Sequence, residues 1–285
     1  MTRNTRITGV APSSAEFINP LEMFRALFSY REMIQQFAWR EVVGRYKGTY
    51  LGLLWSLLNP LLTLAVYTLV FGVILKAKFA PATEAGTTEF ALTLFCGIIV
   101  YNVFSVCVSK APSAIHEHPN LVKKVVFPLE ILPVAMLAAS VVNAGFGLAI
   151  LFPALLILTP KISPTMYMFP LVLLPLCALS LGVAWFLASI GVFIRDVGQA
   201  IVILLQLLFF ISPVIYPLSA VPGMFQGLLR LNPLTTILED ARRTLMGGQP
   251  IEWGWWIAVT VFSLILMQLG YVWFMKSKRV FADII

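Results

Sequence analysis

The sequence predicts an all-α polytopic membrane protein with six transmembrane helices, an N-terminal interfacial amphipathic helix, and re-entrant helices after the fifth span. Three observations support this prediction. Hydrophobic residues make up 59% of the 285 residues and charged residues only 12%, whereas an ordinary soluble domain holds about 25% charged residues. The mean hydropathy is +0.89. Six uncharged, mainly apolar stretches have the length of about 20 residues that crossing a bilayer requires.

The six stretches define the predicted spans: 50–75, 90–109, 131–160, 163–194, 197–229 and 253–275. With the N-terminus in the cytoplasm, fourteen Lys and Arg residues fall on the inner side and six on the outer side. Because cytoplasmic loops of membrane proteins are enriched in Lys and Arg, both termini are expected inside. This basic rim also accounts for the net charge of +7, so no nucleic-acid partner is predicted. No signal peptide is expected, because residues 1–49 are basic and lack an early apolar core.

The residues before the first span divide into two predicted segments. Residues 1–19 read as a flexible N-terminal tail, and residues 20–44 as the interfacial amphipathic helix, followed by the six-span domain over 45–285. Apolar residues of the second segment recur at helical spacing, and Trp39 is suited to anchor the helix at the membrane surface. The apolar positions are Phe24, Leu27, Phe28, Ile34 and Phe37. A helix packed against a partner protein has the same pattern, and the two interpretations are compatible.

The fifth stretch is too long for a single straight span. Its 33 residues would form a helix of about 50 Å, against a hydrocarbon core of about 30 Å. Pro213, Pro217 and Pro222 interrupt it, and proline does not continue a helix without losing a hydrogen bond. We therefore predict a helix to about Ser212, a turn near the outer surface, and a short re-entrant helix over 224–229. A kinked helix with an interfacial tail is the alternative.

The sequence contains no recognisable catalytic equipment. It has no Gly-Lys pair, which excludes a Walker-type phosphate-binding loop, so the chain is not expected to be an enzyme or to bind a cofactor itself. The predicted spans contain no ionisable residue, which argues against ion-coupled transport and against an intramembrane enzyme. His116-Glu117-His118 could suggest a metal site, but no further ligand cluster would complete it. A solvated turn is the favoured interpretation.

The loop from Lys110 to Glu130 is the best candidate for docking a cytoplasmic partner. Pro112 and Pro119 bracket a short helix that would present Ile115, His116 and Glu117, with His118 beside them. Such a helix suits a groove on another protein, although an ordinary connection has the same features.

Several motifs in register resemble the type 2 ATP-binding-cassette permeases that export bacterial cell-surface polysaccharides. The first runs from Arg45-Tyr-Lys-Gly to Asn59-Pro-Leu, and the second is Asn120-Leu-Val-Lys-Lys-Val-Val-Phe-Pro-Leu-Glu-Ile-Leu-Pro. The third motif consists of Phe193-Ile-Arg-Asp-Val, Ser212-Pro-Val-Ile-Tyr-Pro and Asn232-Pro-Leu. The resemblance implies a homodimer in the bacterial cytoplasmic (inner) membrane. It also implies two separate nucleotide-binding ATPase subunits that hold ATP and Mg, and a coupling role for residues 115–118.

The implied substrate is a lipid-linked polysaccharide such as O-antigen, capsule or teichoic acid. In the family the first and fifth spans enclose the path. Pro60 removes a backbone hydrogen bond and is expected to bend the first span, and Asn59 either satisfies the freed backbone groups or faces a polar lumen. A bend needed only for packing is the alternative. Arg45 and Lys47 either anchor the span to anionic membrane lipid or guide the phosphates of the substrate. Aromatic faces suit sugars, although most aromatics in such a chain are packing residues. The candidates are Trp55, Tyr67, Phe71, Tyr101, Phe104, Phe209, Phe210 and Tyr216.

Three other functions are compatible with parts of the sequence. A type 2 permease for drugs or other small amphiphiles would share the fold, and it is the main alternative. A membrane-embedded lipid-modifying enzyme is disfavoured because the spans lack an acid and a base. A structural membrane anchor would function without any ATPase partner.

Overall fold

The protein was analysed as a computed structural model that describes residues 19–45, 47–74, 87–122, 127–158 and 163–284. Within these ranges the secondary structure is helical, and no strand is present. The predicted tail therefore lies outside the described residues except for Asn19. The helices are α1 (Pro20–Ser29), α2 (Arg31–Gly44), α3 (Trp55–Tyr67), α4 (Thr87–Lys110), α5 (Pro119–Val122), α6 (Ile131–Leu158), α7 (Phe169–Phe193), α8 (Val197–Ile211), α9 (Gly223–Arg230), α10 (Pro233–Leu245), α11 (Trp253–Ser277) and α12 (Phe281–Ile284).

Long apolar helices account for most of the described chain. Four of them have the length and composition needed to cross a membrane: Phe90–Ser113, Ile131–Leu158, Met166–Phe193 and Trp253–Ile284. Two apolar helices are shorter, Trp55–Val70 and Val197–Ile211. They fall in the first and fifth predicted spans, and the backbone after α3 continues as a π-helix over Thr68–Ile74. An all-helical membrane protein is thus confirmed, and the number of six spans stays a prediction.

The segment predicted as one interfacial helix consists of two helices. Asn19 caps α1 by accepting a hydrogen bond from the Leu21 amide at 3.0 Å, and Pro20 occupies the first helical position, where its missing N–H costs nothing. The helix breaks at Tyr30, and α2 then packs along α6 with Val42 buried. Part of the apolar pattern is therefore used inside the chain itself.

Close packing of α7 on α11 forms the centre of the described structure. A Cβ atom on Gly182 would lie 2.7 Å from backbone atoms of Leu266 and Met267, and one on Gly270 would lie 2.2 Å from the Gly182 carbonyl oxygen. These two glycines let the helix backbones touch. Beside them Trp185 is fully buried, and its indole donates a hydrogen bond to the Glu130 carbonyl at 3.0 Å.

In the region after α8 the predicted helix end and the predicted short helix are present, one further helix was missed, and the re-entrant course stays a prediction. α8 ends at Ile211, with Ser212 as its C-cap in an extended conformation, and the short helix predicted over 224–229 lies within α9. The following helix, α10, was not predicted, because its four charged residues between positions 239 and 243 suggested an outer loop. It packs against α4 and α7. Its start carries a capping signal: the Asn232 side chain accepts a hydrogen bond from the Leu234 amide, and Pro233 comes first.

Candidate functional site

An aromatic cavity lies between α3, α4 and α8. Its volume is about 610 Å³, and it brings together four of the predicted path residues, which are Tyr67, Tyr101, Phe209 and Phe210. The ring centroids of Tyr101 and Phe209 are 5.2 Å apart in an edge-on arrangement, and those of Phe209 and Phe210 are 5.4 Å apart and perpendicular. Sequence positions more than 100 residues apart thus form one aromatic wall.

The wall of the aromatic cavity also contains an interhelical hydrogen bond and a few polar side chains. The Tyr101 hydroxyl donates to the Leu205 carbonyl, which ties α4 to α8 one helical turn before Phe209. Ser105, Ser109 and Gln206 also line the cavity. A mainly apolar cavity with a few hydroxyl and amide groups is typical of a binding site, since the polar groups orient the ligand.

A second, polar cavity lies between α3, α4 and α6, and its volume is about 160 Å³. Three further path candidates, Arg45, Asn59 and Pro60, line it together with Asn102 and Asn143. The predicted path residues therefore divide between two cavities. Pro60 stands inside α3, where its ring nitrogen has no N–H to donate.

The other predicted path residues have separate positions. Lys47 is exposed in the turn between α2 and α3, and Trp55 is half-buried at the start of α3. The Tyr216 hydroxyl donates to the carbonyls of Phe210 and Ile211, at 3.0 and 2.9 Å, and so caps the end of α8. Phe104 is buried in the core. The side chain of Phe71 lies outside the described part of the chain.

Arg242 is a key residue of this region that the sequence did not reveal. Its guanidinium is buried and donates to the carbonyls of Pro213 and Val214, at 2.6 and 2.5 Å, and to Glu239 at 3.1 Å. It thereby holds the turn after α8 against α10. A Cβ atom at Gly97 of α4 would lie 2.6 Å from the Arg242 Nη2 atom, so the glycine makes room for the guanidinium.

A charged cluster joins α9, α10 and the start of α11. Glu252 receives Arg230 at 3.2 Å and Arg243 at 3.4 Å, and its backbone N–H donates to Asp240 Oδ1 at 3.0 Å. Burial raises the pKa of Asp240 to about 6, although that hydrogen bond and the nearby Arg243 act in the opposite direction. These contacts fasten both ends of the segment between α10 and α11.

The predicted docking loop has a different shape from the one expected. Ala111–Ser113 form a 3₁₀ turn, a further turn follows, and Ile115 is fully buried. The expectation that Ile115 faces outward is wrong, because its apolar side chain joins the core, while Glu117 is exposed. The coupling role of the loop stays a prediction.

The two histidines of this loop contact different parts of the fold. The His116 ring nitrogen Nε2 lies 3.1 Å from the Gly191 carbonyl oxygen at the end of α7. His118 Nε2 lies 2.9 Å from an Arg40 guanidinium nitrogen of α2, and Lys110 forms an ion pair with Glu41 nearby. Across the described ranges no group of three metal-ligating side chains occurs.

Comparison with known proteins gives a consistent result. Residues 32–246 match the profile described as ABC-2 type transporter. A protein of Myxococcus xanthus named O-antigen export system permease protein RfbA is 29% identical over 274 residues, which cover 92% of this chain and 99% of the relative. A protein of the same name from Klebsiella pneumoniae is 23% identical, with 86% and 92% covered. The polysialic acid transport protein KpsM of Escherichia coli is 26% identical, with 81% and 88% covered. The resemblance drawn from the sequence motifs is thereby confirmed.

Proposed function

The chain belongs to the ABC-2 type transporter family, and we propose that it is the transmembrane subunit of an exporter for a lipid-linked cell-surface polysaccharide. Transport runs across the bacterial cytoplasmic membrane and is powered by a separate ATPase subunit. The relatives support the substrate class, since they are named as O-antigen export and polysialic acid transport proteins. The observation that carries the proposal is the aromatic cavity between α3, α4 and α8.

The aromatic cavity fits a sugar chain better than an ion or a compact apolar molecule. Its rings offer faces on which the apolar side of a pyranose stacks, and Ser105, Ser109 and Gln206 offer hydrogen-bond partners to hydroxyl groups. The described cavity lining contains no charged side chain. A neutral, hydroxylated polymer therefore passes without the desolvation of fixed charges, which is costly in a low-dielectric site.

A second copy of the chain completes the proposed path. α3 and α8 both expose apolar side chains along the same stretch as the aromatic cavity: Leu57, Leu61, Leu62 and Val66 on α3, and Ile203, Leu204 and Leu207 on α8. In the family these spans meet across the dimer, so the cavity of one copy would face that of the other. Both termini would lie in the cytoplasm, and the helices after α8 would re-enter from the outer side.

The proposed energy source is ATP hydrolysis by a pair of ATPase subunits bound at the loop of residues 110–122. Glu117 is exposed there, whereas His116 and His118 contact α7 and α2. A force applied to this loop therefore reaches the core and the N-terminal helices together. In the assembled complex, His118→Ala is expected to keep most ATP hydrolysis and to lower export several-fold. Gln36→Ala, an exposed position of α2 outside this loop, is the control. Equal export per ATP in both variants would contradict this coupling route.

Conditional depletion tests the main proposal. Surface glycans and intracellular lipid-linked glycans are measured after loss of the protein, and we expect a polymer to vanish from the surface and to accumulate inside on its lipid. Re-expressed Phe209→Ala is expected to restore export only weakly, while Phe262→Ala, an aromatic residue exposed on α11, restores it fully. If depletion changes neither pool, the polysaccharide assignment fails, and export of a small amphiphile becomes the leading function.

A further inference from the structure

The polar cavity collects amide side chains from three apolar helices. Asn59 comes from α3, Asn102 from α4 and Asn143 from α6, and all three line the same space. The helices that carry them are otherwise rich in Leu, Ile and Val. Three amides that converge from separate apolar helices indicate a site with a purpose beyond packing.

One of the three amides has an oxygen without a hydrogen-bond partner. Asn143 donates through Nδ2 to the Ala139 carbonyl at 2.9 Å, but its Oδ1 has no partner within the described residues. Asn59 and Asn102 are exposed in this chain. An amide without a partner in an apolar medium costs about 2–7 kcal/mol, so water or a polar ligand must fill the cavity. A volume of about 160 Å³ exceeds the share of one water, about 30 Å³.

The cavity leads from a cation deep into the helices. Arg45, just after the end of α2, lines one part of it, and Gly147 lines another. The α6 residues of the lining run from Ser140 to Gly147, which corresponds to about 10 Å along the helix axis. No carboxylate lines the cavity, and the polar part of its described lining is one cation with neutral amide and hydroxyl groups, beside apolar side chains. Guanidinium groups bind phosphate oxygens well, and amides pair with hydroxyl groups as donor and acceptor.

We propose that the polar cavity is a second binding site for the exported molecule, which holds a sugar unit next to its phosphate linkage. The sugar hydroxyls pair with Asn59, Asn102 and Asn143, and the phosphate lies against Arg45. The site is separate from the aromatic cavity, which takes the rest of the glycan chain. This inference rests on the proposed export of a phosphate-linked glycan.

The first test asks whether the cavity is wet. Asn102→Cys and Asn143→Cys are introduced separately into a variant in which Cys96, Cys107 and Cys177 are replaced by Ala and export is retained. A sulfonate-bearing methanethiosulfonate reagent, which does not dissolve in lipid, is expected to modify both cysteines in isolated membranes. Val142→Cys, on a neighbouring exposed face of α6, is expected to resist it and to react with N-ethylmaleimide. Resistance at both asparagine positions would overturn the proposal.

The second test asks what the cavity holds. In membranes that accumulate the lipid-linked glycan, modification of Asn143→Cys is expected to slow at least fivefold relative to membranes from cells blocked in the first sugar transfer. Equal rates would mean that water alone fills the cavity, or that a second copy of the chain covers it, and either result overturns the proposal.

Export by substituted proteins separates this inference from the proposed function. Leu is similar in size to Asn but does not form hydrogen bonds. Asn143→Leu is therefore expected to reduce export at least tenfold, while its abundance and melting temperature stay normal. Asn143→Gln is expected to recover part of the lost export. Asn102→Leu replaces it as the test variant if Asn143→Leu does not fold. Normal export by the Leu variant, with export still lost on depletion, would refute the sugar site and leave the exporter function standing.

Discussion

Replacement of Arg242 by Met tests how the turn after α8 is held in place. Met replaces the aliphatic part of the Arg side chain, but it ends short of the guanidinium position and donates no hydrogen bond. The Pro213 and Val214 carbonyls would lose donors that now lie at 2.6 and 2.5 Å, and Glu239 would lose a cation at 3.1 Å. The turn would therefore detach from α10 and from the part of α4 around Gly97.

The size of the effect follows from these contacts. A buried carbonyl left without a donor costs about 1–3 kcal/mol, and two of them give roughly 2–6 kcal/mol. Glu239 adds little because its side chain is 28% exposed and is hydrated by water. Removal of a buried guanidinium also recovers part of its desolvation cost. We expect a net loss of about 4 kcal/mol, which lowers the melting temperature of a chain of this size by about 10 °C.

Thermal unfolding of the purified protein in detergent measures this loss. Gly97→Ala is expected to destabilise through the same contact, because its Cβ would lie 2.6 Å from Arg242 Nη2 and 3.0 Å from the Val214 carbonyl oxygen. Gly145→Ala is the matched control, since no atom lies within 4 Å of its Cβ position. A melting temperature of Arg242→Met within 2 °C of the parent protein would show that the guanidinium does not hold the turn.

Two further substitutions test the buried carboxylate of α10 and the close contact between α7 and α11. Burial raises the pKa of Asp240 to about 6. Between about pH 4 and pH 6 the folded state therefore binds more protons than the unfolded state. Stability therefore rises by up to about 3 kcal/mol as pH falls through that window. Asp240→Asn should flatten this part of the melting-temperature profile, and an unchanged slope would contradict the assignment. Gly182→Ala should destabilise by about 3 kcal/mol or more, because its Cβ would meet the Met267 backbone at 2.7 Å. Gly254→Ala has open space and should melt like the parent.

The fold was predictable where local chemistry dominates. Apolar length indicated α3, α4, α6, α7, α8 and α11, and proline placement indicated an end of α8 near Ser212, one residue from the observed end at Ile211. The break at Tyr30 was not predictable, because residues 20–44 keep helical spacing through it. α10 was missed for a physical reason. Charged residues indicate a loop unless buried partners compensate them, and the carbonyl partners of Arg242 lie in a turn almost thirty residues earlier. The local sequence therefore does not show that Arg242 can be buried.

Residue types in the candidate site were predictable, but their grouping was not. The sequence alone determined that the chain is helical, apolar and without a Walker-type loop, and its motifs pointed to the family. It also singled out Tyr101, Phe209 and Asn59. Only the tertiary structure decided that Tyr101 lines the aromatic cavity while the adjacent Asn102 lines the polar one. Neighbours on a helix point about 100° apart, so the packing of α3, α6 and α8 around α4 determines which cavity each side chain enters.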